Sequence, residues 1–258
     1  KAEKLITNNT KAIYLVHYGN NICDLDRAKY LKKKYNLYLI EDAAHSIFSK
    51  FKDKYAGTIG DLGVYSFHET KNITSGQGGA ISINNKIFSK RANIILDKGN
   101  DRINLVKKNF SYYNRKDLGS EFKMAELPAA FLYSQIKDRE LIKKKRKKIY
   151  NFYSNIFKKI NTKLVKVLQI DKKVDTNYHI FCLIFKKLII AKKFHNYMRR
   201  NQIPVATHYY PLHFTINKKV KLPITENIFN KIIRLPLNGN LKAKELNKIK
   251  KLIINFFS

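Results

Sequence analysis

Apolar residues come in short runs over the first third of the chain and in spaced stripes after it. Lys11–Val16 (KAIYLV), Leu37–Ile40, the run of Val64, Tyr65 and Phe67, and Ala80–Ile83 are each short, rich in β-branched or aromatic residues and bounded by polar or glycine positions. That pattern predicts buried strands. Between the first two, Asp26–Tyr35 predicts a helix, with Leu25, Ala28, Leu31 and Tyr35 on one side and lysines elsewhere. Strands alternating with a helix predict an α/β unit with a mostly parallel sheet covered by helices. Phe88–Leu96 reads as a further helix ending near Gly99, and Asn100–Tyr113, which has no period, as a loop.

The second half changes character. Ala125–Ile136 and Arg139–Phe157 predict one long or broken helical region, with Pro128 early enough to fall in the unpaired first turn. Leu141, Ile142, Ile149, Phe152, Tyr153 and Ile156 form its buried stripe. Tyr178–Phe185 and Ile203–Ala206 then read as strands flanking a helix around Lys192–Asn201. Glu245–Phe257 closes the chain as an amphipathic helix. A division near residue 140 follows, with residues 1–140 in the α/β part and 141–258 in a smaller α+β part.

Two strand ends carry candidate chemistry. Lys71 follows the Val64–Phe67 run and is backed by Asn72, Thr74, Ser75, Gly76, Gly78 and Gly79, so the strand empties into a loop of little bulk. An amine at the mouth of a buried strand suits a Schiff base, because it can be partly desolvated while bare backbone approaches a flat cofactor. One more surface lysine in a lysine-rich chain is the competing reading. Upstream, Leu37–Ile40 runs into Glu41-Asp42-Ala43-Ala44-His45, placing Asp42 at a strand's C-terminal edge, where open α/β sheets keep ligands. A carboxylate there needs a cationic or hydrogen-bonding partner. Lysine and aspartate on neighbouring strand ends are what pyridoxal phosphate needs, one to bind it and one to keep its ring nitrogen protonated.

EDAAHS, GTIGDLGVYSFHETKN and GQGGAISINN together resemble the sugar-nucleotide aminotransferases of the DegT/DnrJ/EryC1/StrS family. FHETKN most resembles the branch that aminates TDP-4-oxo-6-deoxyglucose, the TDP-4-amino-4,6-dideoxygalactose transaminases. The similarity continues through RKDLGSEFKMAELPAA and HYYPLH to the closing LIINFFS, covering essentially the whole chain. It implies a type I, aspartate aminotransferase-like fold, here an incomplete large domain over 1–140 and the small C-terminal domain over 141–258. It implies pyridoxal phosphate held by Lys71, Asp42 at the pyridine nitrogen, His45 near the phenolic oxygen and Ser66 on the phosphate. It also implies a cytoplasmic homodimer using an amino-acid donor such as glutamate in cell-surface polysaccharide or antigen biosynthesis. Members of the same fold that act as dehydratases carry histidine where Lys71 stands.

The resemblance also brings departures. Family members have a longer N-terminal portion with a phosphate-gripping turn and a ring-stacking aromatic, so the sequence reads as the C-terminal part of a longer enzyme. The residues alone are then expected to bind the cofactor poorly, and an inactive remnant or docking subunit is the alternative reading. Glu121 stands where the family has an asparagine that reaches a partner's cofactor phosphate, and Lys123 where it has arginine. A carboxylate facing a phosphate is repelled, so Glu121 is expected to turn away or to abolish that contact.

Composition narrows what remains. With 44% hydrophobic and 28% charged residues the chain is globular rather than disordered. No apolar stretch reaches the roughly 18–20 residues that span a bilayer, and Ile180–Phe185 and Leu188–Ala191 are split by Lys186-Lys187. Cys23 and Cys182 lack metal-ligand spacing and fit small buried hydrophobes in a reducing compartment. The formal charge of +33 is spread along the chain and carried mostly by lysine, with no recognition motif. It fits tolerant surface positions and a field favouring anionic substrates, not dedicated nucleic-acid binding. His179 lies in an apolar run and reads as core. His208, Tyr209 and His213, in HYYPLH, bracket a proline turn with no carboxylate nearby in sequence. Relatives place a similar segment near the active-site cleft, which implies a substrate-facing role. Arg234, in an apolar RLPL run, reads as lying outside that cluster.

Overall fold

The computed structural model describes residues 1–102, 112–160, 163–216 and 219–258. Most of the expected loop Asn100–Tyr113 lies outside them. The chain divides into two compact units. One holds Lys1–Arg139 and Lys172–Thr176, the other Glu140–Asp171 and Asn177–Ser258.

In the first unit, β1 (Ala12–Val16), β2 (Tyr38–Asp42), β5 (Leu62–Ser66) and β6 (Gly79–Ile83) form one sheet in the order β1-β2-β5-β6. The first three run parallel, and β6 runs antiparallel to β5. The sheet is therefore mixed, because a single loop returns the chain directly from β5 to β6. Helix α1 (Leu25–Tyr35) starts where the Asp24 carboxylate accepts from the Arg27 amide at 3.0 Å, and stops at Asn36 in the left-handed conformation, φ 51°. Its buried face is Leu25, Ala28 and Leu31. Two short strands, β3 (Lys50–Phe51) and β4 (Lys54–Tyr55), form a hairpin that no local pattern announces. Helices α2 (Ser89–Leu96) and α3 (Glu126–Lys137) complete the unit.

Alternation along β2 matters for the site. Leu39 and Glu41 are buried, while Tyr38 on the opposite face is exposed. On the neighbouring strands that opposite face also exposes Tyr14, Val16 and Ile81. Gly63 on β5 is fixed by close approach: a Cβ there would lie 2.0 Å from the Gly57 carbonyl oxygen.

The second unit begins along α4 (Arg139–Lys159), which follows α3 after a break at Asp138. β7 (Val165–Val167) comes next. β8 (Val174–Asp175) then returns to the first unit and pairs antiparallel with β3. β9 (Phe181–Phe185), β10 (Ala206–Thr207) and β11 (Ile232–Leu235) join β7 in an antiparallel sheet of order β10-β11-β9-β7. Helix α5 (Leu188–Arg200), the short α6 (His213–Ile216) and α7 (Pro223–Ile228), and the terminal α8 (Ala243–Phe257) accompany it. The core joins Tyr153, Phe181, Leu183, Phe194, Met198, Ile233 and Ile253, each at most 1% exposed. Strand β9 starts at Phe181 rather than Tyr178. Tyr178 has φ 56°, and Arg146 takes the carbonyls of Tyr178 and His179 at 2.9 and 2.5 Å, removing them from the ladder. His179 is buried, as expected of a core residue. Among the described residues no helix is long and apolar enough to cross a membrane.

Candidate active site

Asp42, His45, Ser66 and Lys71 all follow from the C-terminal ends of β2 and β5, adjacent parallel strands in which Asp42 sits opposite Val64. Asp42 is half-buried. Its Oδ1 accepts from the Ala44 amide at 3.0 Å, and its Oδ2 from the Tyr14 hydroxyl at 3.2 Å. His45 lies in the turn after it; its Nδ1 accepts from the Gly19 amide at 3.3 Å, and its ring centroid is 5.0 Å from that of Tyr18. Ser66 ends β5, with its Oγ accepting weakly from the His68 amide at 3.4 Å. Lys71 is half-buried at the close of a turn in which its amide donates to the His68 carbonyl at 2.9 Å.

The loop carrying Lys71 is held from both sides. The Phe67 carbonyl accepts from the Ser75 amide and the Thr74 hydroxyl, both at 2.9 Å, and the Phe67 amide donates to Gly78 at 2.8 Å. Gln135 on α3 exchanges two bonds with Thr74, at 3.2 and 2.6 Å. Gly78, at φ 149°, admits no side chain, since a Cβ would lie 2.5 Å from Met124 and 2.7 Å from Ser75.

Beneath Asp42 is a group that sequence reasoning missed. Glu41 is fully buried and accepts four hydrogen bonds: from His17 Nε2 at 2.9 Å and from the amides of Gly57, Ile59 and Gly60 at 2.9, 2.7 and 2.5 Å. Burial alone would raise the Glu41 pKa, but these donors outweigh it and hold the carboxyl below its usual range. For His17, burial pulls downward, while the Cys23 and Glu41 side chains lift the ring to a pKa of about 9. Its Nδ1 accepts from the Cys23 amide at 3.2 Å, a contact that belongs to the neutral ring. Protonation therefore exchanges that bond for a full charge opposite Glu41. The available signal was the period of β2, which puts Glu41 on the same face as Leu39.

Glu121 Oε2 lies 2.9 Å from Lys98 Nζ, and Lys123 bonds Asp97 at 2.6 Å. His208, Tyr209 and His213 belong to the second unit. His208 Nε2 is 3.4 Å from Cys182 Sγ, and Tyr209 is 75% exposed. His213 has the carboxylate that its sequence neighbourhood lacks, Glu226 from α7 at 3.1 Å. Among the described residues no group of His, Cys, Asp and Glu is arranged to hold a metal. Arg234 corrects its sequence reading: its Nη2 donates to the Thr207 carbonyl at 3.4 Å, so it adjoins the HYYPLH segment instead of lying apart from it.

The model of the DegT/DnrJ/EryC1/StrS aminotransferase family matches residues 1–253. The chain belongs to that family. Among DegT/DnrJ/EryC1/StrS relatives, a UDP-4-amino-4,6-dideoxy-N-acetyl-beta-L-altrosamine transaminase of Campylobacter jejuni is 28% identical over 96% of this chain and 66% of its own length. The GDP-perosamine synthase of Escherichia coli O157:H7 is 29% identical over 99% of this chain and 68% of its own. The chain thus spans about two thirds of the length of these curated relatives. The fold matches that of Spr1654 from Streptococcus pneumoniae, solved in a PLP-form and a PMP-form, with TM-scores of 0.85 and 0.86 at 22% identity. The match covers 99% of this chain and 70% and 71% of those chains.

Proposed function

We propose that the chain carries the transamination chemistry of a sugar-nucleotide aminotransferase. Its acceptor is a nucleotide-linked 4-oxo-6-deoxy sugar of the TDP-4-oxo-6-deoxyglucose type, and its donor is glutamate. The observation that carries this reading is the pairing of a lysine loop and an aspartate on adjacent parallel strand ends, in a chain of this family. The donor set suits pyridoxal phosphate: an amine at Lys71, a carboxylate at Asp42 with both oxygens already oriented, an imidazole at His45, a hydroxyl at Ser66, and bare backbone at Gly78.

When bound, that cofactor supplies a carbonyl to receive the amino group and a ring that withdraws electrons from the carbon losing its proton. Lys71 would hold it through Nζ, and the same Nζ, once released, would act as the base that takes the proton from the donor carbon and the acid that delivers it to the carbon receiving the amine. Asp42 would accept from the ring nitrogen and favour its protonated form; Tyr14 and Ala44 hold its carboxylate in one orientation. His45 would stand at the ring edge and Ser66 would donate to the phosphate. The FHETKN spelling and the nucleotide-sugar relatives support the acceptor. Leu118, Phe122, Leu127 and Phe131, exposed at 56–87%, support a homodimer as the working assembly.

In a protein that also carries the N-terminal portion its relatives have, borohydride reduction after incubation with pyridoxal phosphate, followed by peptide mapping, should place the label on Lys71. Continued release of 2-oxoglutarate from glutamate, beyond one equivalent per bound cofactor, should require the 4-oxo sugar nucleotide. Labelling of another lysine overturns the cofactor assignment, and preference for a small keto acid or a 3-oxo sugar nucleotide overturns the acceptor.

A further inference from the structure

Arg234 is flanked on β11 by Ile233 and Leu235, 1% and 3% exposed in the core. The period of the strand turns Arg234 to the other face of the sheet, where its cross-strand neighbours are Cys182 on β9 and Ala206 on β10. Its Nε is buried and has no hydrogen-bond partner among the described residues, and its one described bond is the 3.4 Å contact with Thr207. A desolvated guanidinium donor left unmatched is costly, and its planar fork fits a carboxylate or phosphate bidentately. Burial pushes the Cys182 thiol up to about 12 against the opposing pull of Arg234, so it stays neutral, and it sits 3.4 Å from His208 Nε2.

We propose that Arg234, with His208 beside it, forms an oxyanion-binding site on the second unit that takes a carboxylate or phosphate group of a substrate. Only the identity of that substrate rests on the function proposed above: the carboxylate would come from the amino donor, the phosphate from the sugar nucleotide.

The test is a titration of the intact chain followed by the imidazole resonances of its histidines, with inorganic phosphate in one series and L-glutamate in another. A saturable shift at His208 is expected with at least one probe. Arg234→Gln should weaken it about ten- to hundredfold, as loss of a charge-assisted bond does. Arg234→Lys, which keeps the charge without the fork, should fall between. Lys244→Gln, on the exposed side of α8, should leave it unchanged. Glutamate alone saturating assigns the site to the donor, and phosphate alone assigns it to the nucleotide sugar. In turnover, Arg234→Gln should then raise the KM of that same substrate. Absence of a saturable shift overturns the proposal, as does a shift indifferent to Arg234→Gln or equally reduced by Lys244→Gln. A protein that also carries the relatives' N-terminal portion, and that titrates normally but never transaminates, overturns the proposed function and leaves the site standing.

Discussion

Glu41→Gln tests the carboxylate beneath Asp42 with almost no change in volume. The two oxygens of Glu41 divide the work: Oε1 takes the Ile59 and Gly60 amides, and Oε2 takes Gly57 and His17. An amide has a single acceptor oxygen. Keeping it toward Ile59 and Gly60 aims the new NH2 at the Gly57 amide, donor against donor in a dry site. His17 can accept from that NH2 only as a neutral ring, so the variant gives up the charge that Glu41 stabilises on it. One buried charge-assisted bond is lost and one buried donor is stranded, so the first unit should lose about 3–5 kcal/mol. Denaturant unfolding followed by circular dichroism reads the total. Amide hydrogen exchange reads the location, with Gly57 exposed far more often while Ile59 and Gly60 stay comparatively protected. A loss below about 1 kcal/mol, or equal acceleration at all three amides, would show that the carboxylate does not organise this turn.

Three further outcomes are expected. His17 titrates at about 9 against an ordinary 6.5, so the stability its charge contributes should be complete below pH 6.5 and lost as pH rises through about 9. A pH series of unfolding midpoints should show that fall, and Glu41→Gln should flatten it. Gly63→Ala would set a Cβ 2.0 Å from the Gly57 carbonyl oxygen and 2.5 Å from its Cα, backbone against which no side chain can give. A loss of about 1–3 kcal/mol or more in unfolding free energy, read from denaturant unfolding, is expected. Asp42→Asn should preserve the visible absorbance of bound pyridoxal phosphate while lowering 2-oxoglutarate release on the order of 10²-fold, because the neutral amide no longer holds a protonated ring nitrogen. An unimpaired variant would remove Asp42 from the site.

The strand ends were legible because an apolar run that stops at a polar residue is a local signal; Asp42 ends β2, and the loop carrying Lys71 follows such a stop after β5. What lay beyond the sequence was chiefly non-local. Glu41 looks like any surface carboxylate until the period of β2 is combined with His17, just past the end of the next strand, and the amides of a glycine turn from residue 57 to 60. Arg234 was misplaced for a related reason. RLPL looks uniformly apolar, yet alternation sends Ile233 and Leu235 one way and Arg234 the other. Tyr178 was assigned to a strand by its aromatic neighbourhood, and an arginine from α4 that captures its carbonyl is invisible at that range. The β3–β4 hairpin is too short to carry a period.

The pairing of β3 with β8 has a consequence for how the chain is born. Lys50 finds its partner at Asp175 and Phe51 at Val174, so the first unit is unfinished long after its own main sheet has left the ribosome. At roughly 5–20 residues per second that interval is on the order of ten seconds, during which β3 waits with an unpaired edge. The helix and strand of the second unit that precede β8 must be made first, and a break in the chain at Arg139 would withhold the strand altogether. Assembly of the lysine-bearing half therefore depends on a segment encoded inside the other, and the two cannot be inherited or shuffled as consecutive pieces.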